Sequence, residues 1–197
     1  MPISDCEVRD PRIRRTRQLL QGALQELLRT KSFDEISVQD IAEAATVNRA
    51  TFYDHYTDKF ALLESMVAGG FHRLLHARNV TFDGSCSESL GALVLAACDY
   101  LAQAHTGGDC ERHSAFQPLI DAAMTTAVQH TLMQGMPARS SSALPTEVIA
   151  ASASWAIVVA VKHWLAIPGH PSAQEIVAPV LALIVPMVSQ AGAMPSV

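Results

Sequence analysis

Charge is scarce in this sequence. Asp, Glu, Lys and Arg make up 17% of its 197 residues, hydrophobic residues 49%, and the net charge is −5. Such a balance excludes a chain kept unfolded by its own composition. It also excludes a wholly basic coat for nucleic acid, although a locally basic surface remains compatible with it. Cysteine is rare, and Cys6, Cys86, Cys98 and Cys110 form no CxxC pair. The opening MPISDCEVRDPRIRRTRQLL lacks the apolar centre of a secretory leader, so the expectation is a cytoplasmic chain with reduced thiols. The longest apolar runs, 148–161 and 176–188, fall short of the ~20 residues of a spanning helix, and the second contains two prolines. Both are read as buried helices, with no membrane partner. GxSxG, P-loop, Gly-rich dinucleotide and HExxH patterns are missing. No catalytic residue and no cofactor is therefore assigned, and an enzyme is not expected. Repeats and low-complexity tracts are missing too, and no stretch alternates with period two for long enough to require a strand.

What is present is helical pattern. Asp10-Pro11 supplies an N-cap and a first helical position, followed by the apolar set Ile13, Leu19, Leu20, Ala23, Leu24, Leu27 and Leu28. From Leu20 onward its steps of three and four place residues on one face. After the short link FDEIS, Ser37 heads a second helix, with Asp40 three residues on as in a capping box. Val38, Ile41, Ala42 and Ala45 form its inner face. Thr46-Val47-Asn48 is a tight connection, and Asn48 caps a short third helix, RATFYDHY. Thr57-Asp58 begins a long fourth. Residues 10–56 thus read as three short helices with helix-turn-helix spacing. Further helices are expected over 89–105, 111–135, 146–167 and, opened by Ser172 and Glu175, from 172 to about 190. The fold class is all-α: a small front domain, residues 1–57, and a larger helical back domain, residues 58–197.

The stretch VNRATFYDHYTDKFALL, 47–63, gathers aromatic and basic side chains on one short helix. At a helix start beginning at Asn48, backbone N–H groups suit a phosphate. Asn48, Arg49 and Thr51 lie in the first turn, where a recognition helix reaches base edges. Arg pairs bidentately with guanine and Asn with adenine. The polar tips of Tyr53, His55 and Tyr56 reach phosphates, as does Lys59. Residues 9–17, RDPRIRRTR, add five Arg against one Asp. Arg14, Arg15 and Arg17 are candidate backbone or minor-groove contacts in that arm. The competing reading makes the aromatics core and the arginines a solvated face; for Phe52, core is the preferred assignment.

SVQDIAEAATVNRATFYDHYTDKFALL resembles the DNA-binding region of TetR-type transcriptional regulators through Ile41, Ala42, Ala45, Val47, Thr51, Phe52, Tyr53, His55, Lys59 and Leu62. The resemblance covers about residues 10–63. It implies that Asn48, Arg49, Thr51, Tyr53, His55 and Tyr56 lie on a recognition helix, that Ser37 joins the DNA contacts, and that Lys59 is a phosphate contact. It also implies a back domain that binds a small-molecule effector and dimerises, and a repressor released from a palindromic double-stranded DNA operator. The family usually carries Gly where this chain has Thr46 and Phe where it has Tyr56. Gly tolerates positive φ, and a β-branched Thr does so at a cost.

The back half carries no motif that aligns. Its two C-terminal helices are expected to form a homodimer interface, SASWAIVVAV being apolar around most of its circumference and buried on several sides. Candidate linings of an effector pocket are Phe71, His72, Cys98, Tyr100, His105, Phe116, Gln117, Asp121, Met124, Trp155 and His163, a set suited to a mostly apolar small molecule. A metal- or thiol-responsive alternative rests on CDYLAQAHTGGDCERH, 98–113, with Cys98, His105, Cys110 and His113 as weak candidate ligands. No standard ligand spacing is present there, so no metal is assigned.

Overall fold

The computed structural model describes residues 10–82, 87–106, 117–136 and 144–190. They form helices α1 (Pro11–Leu27), α2 (Val38–Ala44), α3 (Arg49–His55), α4 (Lys59–Ala77), α5 (Ser87–Thr106), α6 (Gln117–Gly135), α7 (Thr146–Leu165) and α8 (Ala173–Gln190). No strand occurs among the described residues, in keeping with the all-α expectation.

The helix starts are set by short side chains. Arg12 N–H donates to Asp10 Oδ1 at 2.8 Å, with Pro11 at the first helical position. Ser37 and Asp40 exchange bonds in a complete capping box: Ser37 N–H donates to Asp40 Oδ2 at 2.8 Å, and Asp40 N–H to Ser37 Oγ at 3.1 Å. Thr51 N–H donates to Asn48 Oδ1 at 2.7 Å, and Ala61 N–H to Asp58 Oδ1 at 2.8 Å. At α8, Ser172 N–H donates to Glu175 Oε2 at 2.7 Å. Each bond satisfies a donor the helix itself leaves over.

The helix ends explain the turn. Val47 N–H reaches back to Ala42 O at 2.9 Å and Thr46 N–H to Glu43 O at 3.0 Å. With Thr46 at φ 58°, this is a Schellman closure whose left-handed position is held by threonine. Asn79, at φ 52°, closes α4 in the same way, with Val80 N–H on Leu75 O at 2.9 Å.

The chain forms two compact units, Met1–Gly70 with Gly107–Ala123, and Phe71–Thr106 with Met124–Val197. The units part after Gly70, inside α4, whereas the sequence reading places the boundary ahead of that helix. In the first unit α1 packs on α2 and α3, and α2 on α3. Its core holds Leu20, Leu24, Phe33, Ile36, Ile41, Phe52, Leu62 and Leu63, all buried. Burying a side chain of this size contributes about 1.5–3 kcal/mol. Ile13 and Leu19, expected within the apolar set of α1, are exposed instead.

In the second unit α5, α7 and α8 pack on one another. Gly91 admits α8 closely, because a Cβ there would stand 3.3 Å from Val177 Cγ1. Helix α7 extends beyond the run 148–161 on both sides. At 20 residues it is the one helix among the described residues long and apolar enough to cross a membrane. Ile149, Ala153, Ile157, Val158, Val161 and Trp164 form its buried face. Within the single chain the other side of this helix is open: Val148, Trp155 and Val159 are exposed, Trp155 at 59%. Helix α8 runs through Pro179 and Pro186, both on its exposed side, where water can serve the carbonyls that lose an N–H partner.

Candidate nucleic-acid interface

Helices α2 and α3, joined by the closure at Thr46, place α3 with one inward and one outward face. Phe52 is fully buried, as expected. Asn48, Arg49, Ala50, Tyr53 and Asp54 are exposed, and Thr51 and His55 half-buried. Arg49 and Tyr53, four residues apart, form a pair on the outer face. Arg49 Nη2 donates to Tyr53 Oη at 3.1 Å, and the guanidinium carbon lies 5.5 Å from the ring centroid. The pair sets a guanidinium and a phenol, both able to reach a base edge or phosphate, on one solvent-facing ridge. Asn48 is committed to capping, its Oδ1 accepting from both Thr51 N–H and Thr51 Oγ1.

Three expected contacts take other roles. Tyr56, read as an outward phosphate contact, is 5% exposed. It stands four residues after the buried Phe52, on the same inward face of the helix, with the two ring centroids 6.0 Å apart. Arg17, read as part of the basic arm, is 7% exposed. Its Nε donates to Tyr56 Oη at 3.1 Å and its Nη2 to Ser65 Oγ at 3.2 Å. Lys59, read as a phosphate contact, donates through Nζ to three backbone carbonyls, Phe33 O at 2.8 Å, Asp34 O at 3.1 Å and Ile36 O at 2.8 Å. An ammonium has three donors, so Lys59 is fully engaged in clamping the α1–α2 link. Ser37 is exposed but held by its capping box.

Arg14 and Arg15 are exposed, as the arm requires. His55 is held below its ordinary pKa by burial and by the Arg17 guanidinium, with Asp54 acting in the opposite direction. Both of these causes favour the neutral imidazole. Asp40 is pushed well below the usual carboxylate range by the Ser37 hydroxyl and by Lys31, whose Nζ lies 2.9 Å from Asp40 Oδ1.

The residues proposed to line an effector pocket do not all fall in one unit. Phe71, His72, Cys98, Tyr100, Met124, Trp155 and His163 belong to the second, Gln117 and Asp121 to the first. Gln117 Nε2 donates to Asp121 Oδ1 at 3.0 Å. Phe71, Cys98 and Met124 are fully buried, and Phe71 meets Tyr100 edge-on at 6.0 Å. Phe116, Cys110 and His113 lie outside the described residues, as does the side chain of His105. No metal-competent group of His, Cys, Asp and Glu occurs among the described residues. Burial pushes the Cys98 thiol up to about 11, the opposite of what a reactive thiolate needs.

Sequence reasoning missed the clamp at Lys59 and the contacts of Arg17, Gln21, Tyr56 and Ser65. The signal for the second was available. Arg17, Gln21 and Leu24 recur at three- and four-residue steps, on the face that carries Leu20.

Residues 19–66 match the bacterial regulatory proteins of the tetR family. The uncharacterized HTH-type transcriptional regulator YxbF of Bacillus subtilis is 42% identical over 59 residues, 29% of this chain and 16% of that protein. HTH-type transcriptional regulator EthR of Mycolicibacterium smegmatis is 49% identical over 43 residues, 22% of this chain and 20% of that protein. The matched segments thus span about a fifth or less of these relatives' own lengths. The solved structure of RolR in complex with resorcinol shares the fold, at a TM-score of 0.50 and 15% identity, covering 94% of this chain and 97% of that one. The likeness to the tetR family of bacterial regulatory proteins thus rests on the helix-turn-helix region of this chain, residues 19–66.

Proposed function

We propose that this protein is a homodimeric repressor that reads a near-palindromic DNA operator and leaves it when a small apolar molecule binds the second unit. The observation that carries the reading is the outward ridge of α3, where exposed Arg49 and Tyr53 stand together beside a cap at Asn48 that fixes the start of the helix. The exposed Arg14 and Arg15 supply charge for the phosphate backbone. The proposed contacts are therefore Arg14, Arg15, Arg49, Thr51 and Tyr53, with Asn48 fixing the start of the helix. Arg49→Ala tests them: it should relax base preference at one position of a selected duplex, at about 1–3 kcal/mol. An unchanged preference contradicts the assignment.

A dimer is supported by the exposed apolar side chains of α7 and α8, among them Trp155 at 59% and Leu183 at 63%. Isolated apolar residues on a surface are ordinary; a face of this kind on two packed helices suits a second copy. Trp155→Glu should yield monomers in sedimentation and lose operator binding. The effector reading rests on the buried Phe71, Cys98 and Met124 of the second unit, with the half-buried Tyr100 edge-on to Phe71. Release requires that the effector prefer the state unable to bind DNA. Helices α4, Lys59–Ala77, and α6, Gln117–Gly135, each contribute residues to both units.

A further inference from the structure

Beneath the recognition helix lies a buried polar cluster that the DNA reading does not use. Arg17 and Gln21 on α1, Tyr56 at the end of α3 and Ser65 on α4 are all buried. Besides the two bonds from Arg17, Gln21 Nε2 lies 3.4 Å from Tyr56 Oη and 3.2 Å from Ser65 Oγ. The two hydroxyls are 3.3 Å apart. The Arg17 guanidinium carbon also lies 5.0 Å from the centre of the Tyr56 ring.

The chemistry of the cluster is unlike the rest of this core. Phe33, Ile36, Ile41, Phe52, Leu62 and Leu63 hold the unit together without direction, since apolar packing tolerates small slides. Hydrogen bonds do not: they weaken steeply away from their preferred distance and angle. Two donors on α1 converge on two hydroxyls, one from α3 and one from α4. The end of α3 is thereby fixed in angle against both neighbouring helices. Any displacement of α4 at Ser65 is felt at Tyr56, the residue that closes α3.

We propose that Tyr56 and Ser65 are positioning residues for sequence reading: their hydroxyls, held by Arg17 and Gln21, form a polar joint that sets the angle at which α3 presents Arg49 and Tyr53. The joint rests on the DNA reading of α3 given above. It acts on orientation and not on charge, so it bears on discrimination between duplexes more than on general attraction to DNA. Phosphate attraction depends on outward cations, and base discrimination depends on the placement of α3.

The test uses the full chain with Tyr56→Phe and Ser65→Ala, singly and together. The probes are a duplex selected by the wild-type chain from a random pool and a scrambled duplex of equal length. Each single variant should keep the wild-type helical signal and bind the selected duplex about tenfold more weakly. Binding to the scrambled duplex should stay within about twofold. The double variant should lose little more than the worse single, because both substitutions break the same hydroxyl pair. The Arg17 Nε–H resonance should shift in Tyr56→Phe, a signature independent of DNA. Equal losses on both duplexes, or multiplying losses in the double variant, overturn the joint. If the wild type selects a duplex that Tyr56→Phe binds equally well, the joint alone fails. If the wild type selects none, the DNA reading fails and the joint with it. Should Tyr56→Phe not fold, Ser65→Ala carries the same comparison.

Discussion

Thr46→Gly should stabilise the DNA-binding unit. Thr46 stands at φ 58°, where an L-residue's Cβ crowds the following carbonyl at a cost of roughly 1–2 kcal/mol. Glycine removes that crowding but loses about 0.5–1 kcal/mol through its greater freedom when unfolded. The threonine side chain is exposed, so little packing is lost with it. The balance is a gain of about 0.5–1 kcal/mol. Native-state hydrogen exchange reads it at the site. The Thr46 and Val47 amides, bonded to Glu43 O and Ala42 O, should exchange about two- to fivefold more slowly after correction for intrinsic rates. Thr46→Ala is the control. It removes the branch but keeps Cβ in the left-handed region, so it should gain little. An equal gain from alanine, or faster exchange with glycine, would refute the argument from φ.

Gly22→Ala should also stabilise, by about 1 kcal/mol: Gly22 lies inside α1, and nothing stands within 4 Å of where its Cβ would be. An unchanged urea midpoint would contradict this. Lys59→Met keeps the aliphatic stem and deletes three bonds to carbonyls, so it should lower stability by about 2–3 kcal/mol. A variant as stable as wild type yet weak on every duplex would return Lys59 to a phosphate role. Cys98 is buried with its thiol pushed up to about 11. A thiol reagent at pH 8 should therefore leave it unmodified in the folded chain and label it in urea, with peptide mapping as the readout. Rapid labelling in the native state would revive a thiol-responsive regulator.

The elements were legible where their causes are local. Ser37 with Asp40, Asn48 with Thr51, and Asp10 with Pro11 announce helix starts within four residues of sequence, and the structure contains each of these caps. The roles of Arg17, Tyr56 and Lys59 were not legible, for three different reasons. Arg17 was grouped with its charged neighbours, although its spacing to Leu20, Gln21 and Leu24 assigns it to the buried face. Tyr56 was grouped with Tyr53 and His55 for its polar tip, although it stands four residues after Phe52 and so shares that residue's buried face. Lys59 binds carbonyls 23 to 26 residues earlier, a pairing that only the fold creates. The exposed side of α7 has a similar cause. An apolar sequence shows that a helix can be buried all round, and packing decides which faces are.

The central claim is that the outward ridge of α3 reads DNA. Selection of bound duplexes from a random pool, carried out at two salt concentrations, tests it most directly. The account predicts a near-palindromic motif whose binding falls steeply with salt as phosphate contacts release counterions. Failure to enrich any motif at either concentration would contradict it.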